Sequence, residues 1–235
     1  MGYRYYGMFY DPTYILIIIG VLLSLAASGY VKSTYAKYNR VYSRSGSTAA
    51  EAAQRILNIA GIYDVRIERI AGDLTDHYDP RNKVLRLSDS VYSSTSVAAL
   101  GVAAHECGHA VQHAKGYVPL TLRNAIVPVV NFGANISWPL ILVGIFLRGQ
   151  TLISLGIFMF CLVVLFQLVT LPVEFNASSR ALKLLQKGGI LGNDEISKSR
   201  KVLCAAALTY VASALASILQ LLRLIILFGG RKNDD

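Results

Sequence analysis

Four long apolar runs dominate the pattern of this chain, near residues 14–30, 122–147, 151–173 and 202–228. Each approaches or exceeds the ~20 residues that a helix needs to cross a hydrocarbon core. Tyr14 to Val31 and Thr151 to Val173 carry no Asp, Glu, Lys or Arg, which makes them the cleanest spans. Leu122 to Leu147 contains Pro128, Asn131, Asn135 and Pro139, so a kinked helix packed partly on protein is expected there. The last run holds Gln220 and Arg223, polar groups that should snorkel toward an interface or face other helices. The first run is longer than the apolar core of a signal peptide and continues into helix-compatible sequence, so it reads as a retained anchor.

Between the first two runs the pattern changes character. Lys32 to Arg44 is basic, with Tyr35, Tyr38 and Tyr42 at helix-like intervals, as suits a segment at the headgroups. Thr48-Ala49-Ala50-Glu51 matches a capping box, opening a helix that should run to about Ala60 and stop at Gly61. Val65 to Ile70 alternates apolar and charged residues like a half-buried strand, and Lys83 to Ser88 repeats the signal after a Pro-containing turn, which predicts a hairpin. A further helix is expected from about Ser96 to Ala114, capped by Ser93, Ser94 or Thr95 and ended by Gly116.

Composition and charge orient this plan. Only 16% of the residues are charged against 54% hydrophobic, well short of the roughly 25% charged of a soluble domain. If all four runs cross, residues 32–121 and 174–201 share one side, and that side, with Arg123 at its border, carries 18 of the 23 Lys and Arg residues. The other side has Arg4, Arg148, Arg231 and Lys232, and Arg223 stays inside the last run. The positive-inside rule therefore predicts a multi-pass protein of the cell membrane with residues 32–121 and 174–201 in the cytoplasm. A net charge of +9 is a topology signal on this reading, since no basic recognition motif points to nucleic acid. Three scattered cysteines suggest no disulfide framework.

The expected fold class is mainly α: a polytopic membrane protein with about four transmembrane helices and a small cytoplasmic α+β lobe. Its divisions are a transmembrane anchor (1–31), a lobe (32–121), a transmembrane hairpin (122–173), a cytoplasmic segment (174–201), and a last transmembrane helix with a tail (202–235).

The chemistry concentrates in His105-Glu106-Cys107-Gly108-His109. Residues i and i+4 share one face of a helix, so His105 and His109 can grip one metal ion, and Glu106 can reach a water on it as general base. With so few histidines in the chain, a chance H-E-x-x-H match is on the order of 1 in 700. The bland alternative, two histidines merely satisfied in a packed helix, leaves buried imidazoles beside a buried carboxylate without a charge partner. Zinc, one ion per chain, is the expected cofactor. Cys107 reads as a small packing residue. His113 lies one more i+4 step on, about 12 Å up the axis from His105, too far to share an ion with it. Glu174 stands out as the third ligand: it follows the apolar run ending Leu171-Pro172-Val173, on the same predicted side as the H-E-x-x-H helix. The bland reading of Glu174 is a carboxylate at a helix end.

His105-Glu106-Cys107-Gly108-His109-Ala110-Val111-Gln112 and Leu171-Pro172-Val173-Glu174-Phe175-Asn176-Ala177-Ser178 together resemble the bacterial YugP-like family of membrane neutral zinc metallopeptidases. Asp76-His77-Tyr78-Asp79-Pro80 resembles another segment of it, and the likeness covers nearly the whole chain. The resemblance implies a membrane-bound peptidase of gluzincin type, with His105, His109 and Glu174 as zinc ligands and Glu106 as the catalytic base. The second half is also similar to the more distant CAAX-protease and heat-shock membrane peptidase group, which has an aspartate where this chain has Ser178.

The expected reaction is hydrolysis of peptide bonds in a polypeptide substrate, membrane proteins included. His77, Tyr78 and Arg180 are candidates for stabilising the oxyanion, His77 foremost, and the strand at Val84 to Leu87 is a candidate edge for an extended substrate. The partners expected are that polypeptide and the lipid bilayer, and no nucleic acid. Two rivals are a site-2-type intramembrane protease and a non-catalytic membrane scaffold or transporter subunit. The Ala-rich setting of the motif, about a dozen residues before the next apolar run, and the lack of a Leu-Asp-Gly ligand motif weigh against the first.

Overall fold

The computed structural model describes residues 11–229; Arg4, Arg231 and Lys232, counted in the charge balance, lie outside them. The elements are α1 (Tyr14–Tyr38), α2 (Ala49–Ile59), β1 (Arg66–Ile70), β2 (His77–Asp79), β3 (Val84–Ser88), α3 (Asp89–Tyr92), α4 (Val97–Ala114), α5 (Val118–Phe146), α6 (Gln150–Lys187) and α7 (Asn193–Phe228). Among the described residues α1, α5, α6 and α7 are long and apolar enough to cross a membrane. Mainly α with a small three-stranded sheet is thus the class the apolar pattern called for. The α5 helix runs through Pro128 and Pro139 as one element, and α6 through Pro172.

The chain divides into two compact units. The first comprises Met1–Ala26, Ala125–Leu168 and Tyr210–Asp235. Its interior is thin, centred on Ile141, Phe160, Val164 and Leu224, while Ile15, Leu22, Leu25, Phe132, Leu142 and Ile226 stay exposed, as lipid-facing residues do. Small residues set the helix spacing: a Cβ on Gly156 would stand 2.8 Å from the Ser137 carbonyl, so α5 and α6 touch backbone to backbone there. Arg223 does not snorkel alone; it binds Asp11 at 2.9 Å and lies over the Tyr14 ring.

The second unit comprises Ala27–Asn124 and Val169–Thr209. Its core is a single cluster built on α4, α2, the sheet and the polar ends of α6 and α7, including Ile56, Leu57, Leu85, Leu87, Leu100 and Leu185. The α2 helix opens with the capping box of Thr48 and Glu51, and Gly61 follows its end at φ 75°. Ser96 itself caps α4, one residue later than the three candidates, by accepting from Ala99 N.

The sheet departs from the expected hairpin. Its order is β1-β3-β2; β1 and β3 run parallel, and β2, a strand not foreseen, pairs antiparallel with β3. The turn that makes the true hairpin is Asp79 to Lys83, where the Asp79 carboxylate accepts from the backbone of Arg81 (3.0 Å) and Asn82 (3.2 Å). β3 is central and the most buried strand, because its Val84, Leu85 and Leu87 all enter the core. It therefore offers no free edge, and the edges belong to β1 and β2.

These contacts give the turn a pH signature. Hydrogen bonds from Asn82, with Arg86 beside it, hold the Asp79 carboxyl down at about 2. Its contribution to stability is present above the ordinary carboxylate range and is lost as pH falls toward 2. Asp79→Asn should remove that part of the acid sensitivity, read as a flatter dependence of melting temperature on pH between roughly 4 and 2.

Candidate metal centre

Local sequence explains why α4 can sit where it does. Most of its buried residues are small, among them Ala98, Ala99, Gly101, Ala103, Ala104, Cys107, Gly108 and Ala110. Small residues let neighbouring helices approach, and Gly108 shows how closely. A Cβ there would fall 2.5 Å from the Ala177 carbonyl oxygen and 3.1 Å from its Cα, so α4 and α6 meet through bare backbone. Ala177 lies three residues after Glu174 on α6, and this approach brings the Glu174 carboxylate across to the histidines.

Three ligand atoms converge as a result. His105 Nε2 is 3.1 Å from Glu174 Oε2, His109 Nε2 is 3.5 Å from the same oxygen, and the two Nε2 atoms are 3.1 Å apart. An ion holding ligands at 2.0–2.1 Å in tetrahedral geometry separates them by about 3.3 Å, so the triangle has the size of one tetrahedral face. Among the described residues, His105, His109 and Glu174 form a group that could hold a metal ion. The donor set, two imidazoles and a carboxylate, is one that zinc favours in catalytic sites.

Hydrogen bonds around the triangle fix which nitrogens are free. The Gln112 amide is fully buried and gives its N–H groups to Val173 O (2.8 Å) and Asn176 Oδ1 (3.0 Å), so its oxygen faces His109 Nδ1 at 3.0 Å. That oxygen only accepts, hence His109 carries a proton on Nδ1, and the neutral ring turns a bare Nε2 toward the cluster. His105 Nδ1 meets Ser178 Oγ at 3.1 Å, a hydroxyl able to accept in the same way. Ser178 thus stands beside His105 at the position expected to hold aspartate in the more distant peptidase group. Arg123 Nη1 reaches Glu174 Oε1 at 3.4 Å, leaving Oε2 to the histidine side.

Glu106, on the turn between the two histidines, is buried. Among the described residues no hydrogen-bonding group meets its carboxylate. Burial pushes its pKa up, against the pull of His109 and His105. Cys107 turns the other way, its thiol 3.6 Å from Ala53 O and raised by burial, which fits a packing residue.

The remaining sequence candidates lie apart from the triangle. His77 sits on β2 with Nδ1 2.9 Å from Thr75 O and Nε2 3.3 Å from Arg86 Nη1. Tyr78, on the opposite face of that strand, meets His113 Nδ1 at 2.9 Å, and burial raises its phenol to about 12, so it stays protonated. Arg180 Nε donates to Asn176 Oδ1 at 2.6 Å and stacks over Tyr117. Gln112 and Arg123 were missed from the sequence as site residues. Gln112 carried a signal, since a residue three past His109 shares its helix face; Arg123 carried none, as its partner is 51 residues away.

Two variants test the geometry. Gln112→Ala should weaken zinc affinity by roughly 10- to 100-fold, the usual effect of losing a group that orients a ligating histidine, measured by competition with a chromophoric chelator. Gly108→Ala must push α4 from α6 and should destabilise the fold by about 1–3 kcal/mol while also lowering zinc affinity.

The family described as "Putative neutral zinc metallopeptidase" matches residues 13–229. The curated "Putative membrane protease YugP" of Bacillus subtilis (strain 168) is 50% identical over 220 residues, covering 94% of this chain and 98% of that protein. No solved structure matches the chain.

Proposed function

We propose that this chain, which belongs to the neutral zinc metallopeptidase family, is a membrane-embedded endopeptidase of gluzincin type working at the cytoplasmic membrane face. The observation that carries the proposal is the triangle of His105 Nε2, His109 Nε2 and Glu174 Oε2, with edges of 3.1, 3.1 and 3.5 Å.

His105, His109 and Glu174 would hold one zinc ion. Bound there, zinc supplies Lewis-acid polarisation of the scissile carbonyl and makes the attacking water more acidic. Glu106 takes the proton from that water and hands it to the departing amine; a carboxylate with no hydrogen-bond partner among the described residues and raised by burial is suited to both transfers. Gln112 and Ser178 keep the histidine Nδ1 atoms engaged, and Arg123 steadies the second oxygen of Glu174. His77, on a strand that packs beside α4, remains the proposed helper for the oxyanion, and the open edge of β2 is the place for an extended substrate to add.

Placement at the membrane border rests on length. From Gln150 to Glu174 the α6 helix rises about 36 Å, somewhat more than the ~30 Å hydrocarbon core, so Glu174 falls just past one full crossing. The excess of Lys and Arg on the side of residues 32–121 and 174–201 supports a cytoplasmic location. A site at this depth suits substrates that are themselves membrane proteins.

Purified wild type should contain one zinc per chain, lost in His105→Ala and strongly reduced in Glu174→Gln. Glu106→Gln should keep the zinc and lose proteolysis of an unfolded polypeptide by several orders of magnitude. Metal-free wild type with an intact fold would refute the proposal, as would full activity in Glu106→Gln.

A further inference from the structure

Outside the metal centre the second unit contains a cavity of about 580 Å³ between α6 and α7. Its walls are apolar, formed by Phe175 and Leu182 of α6 and by Leu203, Ala207 and Leu208 of α7. Lys183 and Arg200 also line it, and both are exposed. Neither has a hydrogen bond or ion pair among the described residues. The acids at the start of α7 are engaged elsewhere: Asp194 binds Arg44 at 2.6 Å and lies 3.8 Å from Lys198, and Glu195 accepts from the backbone of Arg44 and Gly192, each at 2.8 Å. An apolar groove with two uncompensated cations therefore stands between two helices that continue into apolar spans.

We infer that this groove binds an anionic phospholipid, with an acyl chain against Phe175, Leu182 and Leu203 and the phosphate held by Lys183 and Arg200. Volume, charge and location all bear on the choice. The cavity is of the size that takes a drug-sized apolar ligand. The two cations complement a phosphate, and each Lys or Arg near an anionic headgroup adds favourable energy. Both helices lead from the groove into apolar segments, so a lipid reaches it by lateral diffusion. A polypeptide substrate is disfavoured as occupant, because the groove face of α6 is turned roughly 110° about the helix axis from Glu174, at 100° per residue.

The groove and the metal centre share one residue. Ser178 lines the cavity and its hydroxyl is the partner of His105 Nδ1. A lipid chain seated there packs against the residue that orients a ligand.

Cys204 supplies the test, since it lines the groove and is exposed, whereas Cys107 is buried and Cys161 can be replaced by serine. The full-length Cys161→Ser protein in detergent is titrated with dioleoyl phosphatidylglycerol or dioleoyl phosphatidylcholine while the rate of maleimide modification of Cys204 is followed. Phosphatidylglycerol should protect the thiol at a concentration about 30-fold lower than phosphatidylcholine does, the factor that two cationic contacts multiply to. The double variant Lys183→Gln/Arg200→Gln should lose that preference while keeping the zinc content of the parent. Equal protection by the two lipids, an unchanged preference in the double variant, or protection by an unfolded polypeptide but not by lipid would each overturn the assignment. None of these readings depends on peptidase activity, so failure here and failure of the peptidase proposal are distinguishable.

Discussion

The contact on which the centre depends is the approach of two backbones, α4 at Gly108 and α6 at Ala177. With any larger residue in place of Gly108 the helices would stand farther apart, and Glu174 would no longer share a triangle with the histidine Nε2 atoms. The same approach lets the Gln112 side chain reach Val173 O and Asn176 Oδ1 on α6, which fixes its amide and through it the tautomer of His109. Van der Waals packing of small residues is a weak force per contact, but here it sets the distances within which every hydrogen bond of the centre is made.

The polar groups gathered at this junction would be expensive if left alone. Glu106, Gln112 and Glu174 are all buried in a unit whose other buried side chains are mostly apolar. Gln112 satisfies its amide through three partners, and Glu174 is met by both histidines and Arg123. Of these three, Glu106 has no hydrogen-bond partner among the described residues. A buried carboxylate kept in that condition is a poor contribution to stability and a useful one to proton transfer, which is the usual sign of a site maintained for its chemistry.

How much of this could be read from the chain follows from how local each signal is. The H-E-x-x-H pair, the capping box and the stop at Gly61 are fixed by residues within a turn of one another, and each was legible. That Glu174 stands beside the two histidines was legible although it is remote, because a carboxylate at the end of an apolar run is conspicuous and two expected crossings return the chain to its starting side. The sheet was not: β1 and β3 each alternate clearly, but whether they pair antiparallel or parallel depends on β2, a three-residue strand with little pattern of its own. The roles of Arg123, Ser178 and the groove cations depend on which helix faces lie opposite, and no spacing within a single helix reveals that.

The 69 residues that separate His105 from Glu174 in the chain have a consequence for biogenesis. A nascent chain that has emerged only as far as α4 owns two of the three residues of the triangle. The third arrives only with Glu174 of α6, after α5 and the apolar part of α6 have been made. The group that could hold a metal is therefore complete only once α6 has been made, and a chain ending before α6 lacks one of its three members.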